Sequence, residues 1–376
     1  MTHKPSTLQR RLSRAILALV MVLSLLGIAV PAAQAAPPDD FVIAVKTDNP
    51  GTSSSTQFTI PTHFTGYNYN VDCNNDGTDE ATGQTGSYTC TYGSAGTYTI
   101  RIKDNSGLGT GFPRIYFANG GDRLKILIIE QWGTGKWDDM NRAFSGAANL
   151  QINATDAPDL SSATSLAYMF SGASSLNADL SGWNTATITD MSYMFQNTTA
   201  FNGNITTWDT SSVTNMAGMF QSATSFNQDI SGWNTGNVVD MINMFAGATS
   251  FDQDLSNWNV TSLTNASLMF NGVTLSTANY DALLIGWNAQ ALQSGVPFDG
   301  GGSTYCAGEA ARTNMISSDL WTISDGGKDC SAAAVTPGAG GGNGPGSVGI
   351  TDGSSSLELW LKADAGVTTS GSSVSA

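Results

Sequence analysis

The sequence predicts a mainly β chain with short helices: an N-terminal β-sandwich, a parallel-stacked solenoid of about six 25-residue turns, and a disulfide-tied C-terminal cap. Three observations predict it. An apolar–Phe step recurs at a fixed interval through the middle of the chain. Alternating apolar and polar residues precede it, and two cysteines bracket a short stretch after it.

The elements follow in chain order. Residues 1–35 read as a signal peptide, with a positive start (Lys4, Arg10, Arg11, Arg14), an apolar run over 15–30 and a small-x-small cleavage site at Ala33-Gln34-Ala35. The run falls short of the roughly 20 apolar residues of a membrane span. No other stretch approaches that length, so the mature chain, from Ala36, is expected to carry no transmembrane segment and to be secreted or held at the cell surface. No Cys follows the run, so no lipid anchor is expected. Four of the 15 Lys and Arg leave with the leader and none of the 30 acids does, which leaves 11 cations and a net charge of −19. Such a surface is a poor partner for nucleic acid, whose phosphates need cations. It suits solubility outside the cell and leaves cation binding open.

Residues 36–119 alternate apolar and polar positions between Gly, Asn and Pro turns, an all-β signature. Residues 86–92 and 95–102 look like the last two strands of a PKD-type immunoglobulin-like sandwich.

The repeats occupy 120–275, and 124–129 (LKILII) read as the strand that begins the stack. Phe144, Phe170, Phe195, Phe220, Phe245 and Phe270 are spaced by 26 and then 25 residues. A Trp column runs beside them at Trp132, Trp183, Trp208, Trp233 and Trp258, with Pro158 in the second place. Ile205 and Trp208 fall in a short extended segment, whereas Met216, Met219 and Phe220 lie at i, i+3 and i+4, one face of a helical turn. Each turn offers apolar residues that it cannot bury alone, and stacking buries them. Polar columns agree: Asp190, Asn215, Asp240, Asn265; Asn184, Asp209, Asn234, Asn259; Asp179, Asn204, Asp229, Asp254. Alternating Asn with Asp limits like-charge contact between neighbours.

The pattern x-F-N-x-D-[LI]-S-x-W-[ND]-[TV]-x-x-[VI]-x-[DN]-M-x-x-M-F resembles the repeat of the BspA-like leucine-rich-repeat surface proteins, found also in mycoplasma lipoprotein-associated domains. The resemblance covers 132–270 and is most specific from Leu176 onward. It implies a leucine-rich-repeat-like stack on a cell-surface protein, often adhesive. Mycoplasma members carry a lipid-anchoring Cys that is absent here, and Ala often stands where the family has Cys after the Phe.

Residues 276–330 read as the C-terminal cap. Tyr280, Leu283, Leu284 and Trp287 lie at helical spacing as an amphipathic lid, and a short helix is expected near 309–316. Residues 331–356 are a Gly/Ser/Pro linker. Residues 357–376 resemble the opening strand of a concanavalin-like jelly roll of the laminin-G type, so the chain reads as truncated there. Four cysteines allow three pairings. The local one, Cys73 with Cys90 and Cys306 with Cys330, keeps each bond within one module and would stabilise by about 3 kcal/mol per loop. Free thiols are the alternative.

Catalytic raw material is scarce. His63 is the one histidine beyond the leader, which leaves little for a Ser-His-Asp triad or a multi-histidine zinc site. No Gly-rich phosphate loop precedes a helix. The repeat Asp residues come in columns rather than as the singular pair a glycosidase needs. Asp72, Asn74 and Asp76 with Gly77 follow the start of a calcium loop, but Gly83 stands where the bidentate Glu belongs. The stretch therefore reads either as a calcium loop or as a polar hairpin turn pinned by Cys73. The Trp column reads as core, with sugar stacking as its alternative.

The expected function is adhesion, or binding of an extracellular protein or polysaccharide through the repeat surface, with no enzymatic activity and no individual ligand residue identified. The alternative is the targeting part of a secreted polysaccharide-active enzyme whose catalytic domain lies beyond residue 376.

Overall fold

The computed structural model describes residues 39–331. The expected signal peptide, most of the expected linker and the expected jelly-roll strand at 357–376 lie outside the described residues. Strands β1 (Phe41–Lys46), β2 (Gln57–Ile60), β3 (Tyr69–Asp72), β4 (Ala81–Gln84), β5 (Tyr88–Thr91), β6 (Thr97–Asp104), β7 (Ile126–Gln131) and β8 (Gln151–Ile152) come first. They are followed by α1 (Thr277–Asn288), β9 (Pro297–Asp299), α2 (Glu309–Ser317) and β10 (Thr322–Ser324). The main sheet is six-stranded and mixed, in the order β4-β3-β6-β1-β7-β8. Its pairs are antiparallel except β7–β8. Its inner face buries Ile43, Val45, Ile100 and Ile102 at two-residue spacing, and a bulge in the β1–β7 register brings Ile126 and Ile129 beside them, with Phe58 and Ile60 of the separate β2–β5 pair.

The expected parallel-stacked, leucine-rich-repeat-like solenoid of about six turns is not what forms. Among the described residues from 153 to 276 there is neither strand nor helix, only isolated parallel bridges, four of which join Ser165, Asp190, Asn215, Asp240 and Asn265 in succession. The physical reason is backbone handedness. Each copy places two residues four apart in the left-handed region: Tyr168 and Gly172, Tyr193 and Asn197, Gly218 and Ser222, Asn243 and Gly247, Leu268 and Gly272. Left-handed residues interrupt both extended and helical backbone. The segment becomes a run of tight turns, with Met194 N–H on Met191 O (3.3 Å), Gln196 N–H on Tyr193 O (3.2 Å) and Phe201 N–H on Thr198 O (3.0 Å). The expected helical turn at Met216, Met219 and Phe220 is one of these, closed by Met219 N–H on Met216 O at 3.2 Å.

Successive copies are tied at points along these turns. Leu166, Tyr168, Phe170 and Gly172 donate their N–H groups to Asp190, Ser192, Met194 and Gln196 at 2.7–3.0 Å. The rings of Phe144, Phe170, Phe195, Phe220, Phe245 and Phe270 follow one another at 5.8, 5.9, 5.7, 5.6 and 5.3 Å. All six are fully buried.

Both ends of this core are covered. At the front, β7 bonds to β1 on one side and to β8 on the other, and Phe41 of β1 packs against Trp132 (5.8 Å) and Trp137 (5.0 Å). At the back, α1 buries Tyr280, Leu283, Leu284 and Trp287, the residues expected of the lid. Its N-cap is Ser276, whose side chain accepts the Asn279 N–H. Phe298 of β9 bridges to Ala266, and β9–β10 pairing (Pro297 with Thr322, Phe298 with Ile323) restores the 25-residue offset.

Truncating one ring of the column leaves a void that its neighbours cannot fill. Phe220→Ala is expected to cost about 3–5 kcal/mol in urea unfolding. Val239→Ala, at a side chain 41% exposed, should stay within about 0.5 kcal/mol. Similar costs for the two would show that the column does not carry the stability assigned to it.

Candidate functional site

The polar columns on the repeats serve their own turns. Asp179, Asn204, Asp229 and Asp254 each accept the backbone N–H two residues on, at 2.9–3.1 Å. Asn184, Asp209, Asn234 and Asn259 do the same at 2.9–3.2 Å. So do Asp190, Asn215, Asp240 and Asn265, at 2.9–3.1 Å. The turn needs one side-chain oxygen at that distance, which Asp and Asn supply equally. The hydroxyl and backbone N–H of the serine two residues on hold the Asp179, Asp209 and Asp229 carboxyls below the usual range.

The tryptophan column is core. Trp132, Trp183, Trp208, Trp233 and Trp258 are at most 6% exposed. The indole N–H groups of Trp208, Trp233 and Trp258 donate to Leu180, Ile205 and Ile230 carbonyls at 2.9, 3.2 and 3.0 Å. No ring face is left for a sugar.

A different column reaches solvent unevenly along its length, with Gly218 buried and Leu268 exposed. The first left-handed position of each copy carries Arg142, Tyr168, Tyr193, Gly218, Asn243 and Leu268. The Arg142 guanidinium lies 4.3 Å over the Tyr168 ring, and Tyr168 stacks on Tyr193 at 4.8 Å and 12°. Tyr193 then lies against Gly218, where a Cβ would collide with its ring. Arg142, Tyr168 and Tyr193 are half-buried, and Leu268 is exposed. Sequence reasoning passed over this column because it sought repetition. The available signal was the opposite: a charge, two aromatics, Gly, Asn and Leu at one phase of an otherwise uniform repeat.

The loop after β3 brings Asp72 and Asp76 together and adds Glu80, which the sequence reading did not assign. Their carboxylate oxygens lie within 4.8 Å of one another. Asn74 turns back into its own loop, accepting the Asp76 N–H at 3.0 Å and donating to the Asp76 carboxylate at 3.2 Å. Asp72 accepts from Asp76 and Gly77 N–H, and Glu80 accepts from Cys73 N–H. The Arg101 and Lys103 side chains stand 3.8 Å from Asp72. The carboxylates are thus already engaged in closing the hairpin, which the Cys73–Cys90 disulfide pins. The second bond, Cys306–Cys330, ties the cap.

His63 packs between Phe64 (3.7 Å) and Tyr116 (4.2 Å), and its backbone exchanges hydrogen bonds with the Tyr67 hydroxyl. A groove of about 270 Å³ lined by Val42, Asn75, Thr99, Glu130 and Gln131 holds one carboxylate and no histidine, so it offers no acid–base pair. Among the described residues, no helix is long and apolar enough to cross a membrane.

Residues 116–209 and 164–283 match the family model described as Mycoplasma protein of unknown function, DUF285. This is a repeat family related to the BspA-like proteins. The match lies within the repeats and neighbouring turns and bears on neither a leucine-rich-repeat, a PKD-type nor a laminin-G-type assignment. No curated protein and no solved structure matches the chain significantly.

The turn role of the aspartates has a pH signature. A carboxyl held below its unfolded value of about 3.9 adds stability that is present above that pH and lost as pH falls through the lower folded value. The chain is therefore expected to melt progressively lower below about pH 4. A variant with Asp179→Asn, Asp209→Asn and Asp229→Asn keeps each turn oxygen. It should match the parent within about 0.5 kcal/mol at pH 7 and lose less in acid. Equal acid slopes in the two melting series would refute the assignment.

Proposed function

We propose that the chain is an exported, cell-surface protein that binds an extracellular protein or polysaccharide through the surface of its repeats. The observation that carries this reading is the contrast within one repeat. Phe, Met and Trp positions are buried and nearly constant, whereas the adjoining left-handed column, half-buried at Arg142, Tyr168, Tyr193 and Asn243 and exposed at Leu268, changes in chemistry from copy to copy. A regular scaffold with one variable phase is a means of displaying different side chains at fixed spacing. The two disulfides, the basic–apolar start of the sequence and the net negative charge are compatible with a location outside the cytosol. No acid–base pair or metal-bound nucleophile enters the proposal.

The test is binding of the purified chain to immobilised glycans and extracellular-matrix proteins, with calcium and with chelator. Saturable binding to one class is expected, weakened at least about tenfold by Tyr193→Ala with the melting temperature retained. A blank in both conditions would overturn the proposal. Binding that only calcium permits would put Asp72, Asp76 and Glu80 to use as a cation site.

A further inference from the structure

Charge without a partner marks one end of the left-handed column. Of the ten cations among the described residues, seven sit in ion pairs, while Arg123, Lys136 and Arg142 do not. Arg123 and Arg142 flank a single turn. Arg142 holds its first left-handed position, Gly146 its second, and the Arg123 side chain lies across Gly146: a Cβ there would come within 2.6 Å of the Arg123 Cδ and 2.7 Å of its Nε. Both arginines are half-buried.

The setting makes two unpaired guanidinium groups unusual. Between residues 143 and 311 the sequence contains no Lys or Arg, and the repeat faces carry only Asp as a charged residue until the cap. The chain does not lack carboxylates to pair them with, yet none is placed there. Arg142 is held instead by the Tyr168 ring beneath it, which orders the guanidinium before any ligand arrives. Tyr193 continues the stack at the next copy, and no hydrogen bond among the described residues engages either tyrosine hydroxyl. Arg142, Tyr168 and Tyr193 all sit at φ of 55–56°, a conformation that Gly218 and Asn243 adopt at lower cost in the same column. Large side chains kept at a strained backbone position point to a use for those side chains.

We propose that Arg123 and Arg142, with the stacked Tyr168 and Tyr193, bind one saccharide unit bearing a carboxylate or a sulfate. The guanidinium groups supply planar, two-pronged contacts to the anion. The tyrosine hydroxyls meet the sugar's own hydroxyl groups. The ligand carries a single anionic group rather than a run of them, because past Tyr193 the column turns to Gly218, Asn243 and Leu268 on an acidic surface. The inference rests on the reading of the repeat surface as a ligand surface and names its place and chemistry.

The test uses the full chain in calorimetric titration with three probes: a neutral-backbone tetrasaccharide ending in one uronate unit, the same tetrasaccharide bearing one sulfate instead, and neutral cellotetraose. Binding of at least one anionic probe is expected, and the stronger of the two assigns carboxylate or sulfate. Arg123→Gln and Arg142→Gln should each weaken it about tenfold or more, with unchanged melting. Lys136→Gln, which removes the same charge elsewhere, should leave it intact. Equal loss in Lys136→Gln would reduce the effect to general attraction and overturn the site. So would equal affinity for cellotetraose, or no anionic binding beside saturable binding of a neutral glycan or a matrix protein; those last results leave the surface-binding reading standing. A blank with every glycan and protein overturns both.

Discussion

Each copy of the repeat has to bring one phenylalanine ring back onto the ring of the copy before it, and the rest of the middle region is arranged around that return. The rings meet at 5.3–5.9 Å with almost no solvent exposure. Each buried ring contributes roughly 1.5–3 kcal/mol relative to its exposed state. The chain closes the circuit with pairs of left-handed residues four apart, which fold the segment into tight turns and leave every second N–H pointing at the next copy. The phenylalanine column supplies cohesion, and the paired turns set the path by which a copy reaches it.

That arrangement shapes the electrostatics. From residue 143 to 276 the repeats lack cations, and their aspartates would repel one another as bare surface charges. Instead the Asx oxygens of the three columns each accept a backbone N–H two residues on, which satisfies turn donors that the absence of strands leaves without a ladder. Cations are concentrated where burial demands them. Lys125, fully buried, donates to the carbonyls of Ser53, Ser54 and Gln57 at 2.7–3.0 Å beside Asp122. Burial alone would raise the Asp122 carboxyl, but bonds from Ser53 and Thr59 hold it below the usual range. Arg101 pairs with Asp40 at 3.0 Å under the main sheet. These clusters stiffen the front cover of the stack, where β7 passes from the main sheet into the repeats.

Much of this was legible in the sequence, and what was not has identifiable causes. The period, the buried Phe, Met and Trp columns, α1, α2 and both disulfides follow from spacing and apolar pattern. The turn geometry does not, because Arg, Tyr and Leu disfavour positive φ and nothing marks Arg142, Tyr168, Tyr193 or Leu268 as exceptions. Met216, Met219 and Phe220 show the resulting error: an i, i+3, i+4 apolar set also fits a chain of three-residue turns. Ala266 meets Phe298 after 32 residues because α1 is inserted, and the return to 25 between Phe298 and Ile323 was hidden behind that interruption. At the hairpin, the sequence placed the missing acid at Gly83. The fold brings in Glu80, which a linear loop template does not anticipate.

The same geometry separates what the repeat conserves in itself from what it varies. A buried column cannot change without opening a void or forcing a clash, so Phe recurs. The left-handed column is half-buried or exposed at every position but Gly218, and the backbone there favours Gly or Asn. Gly218 and Asn243 show that the stack accepts them. Where Arg142, Tyr168, Tyr193 and Leu268 stand instead, the chain carries a conformational cost that the packing of the core does not require. Three of those four residues form one continuous stack of guanidinium and phenol rings at the end of the repeats nearest the main sheet. Under the proposed binding role, strain gathered at these half-buried positions, next to a core free to avoid it, is offset by what the side chains meet outside the protein.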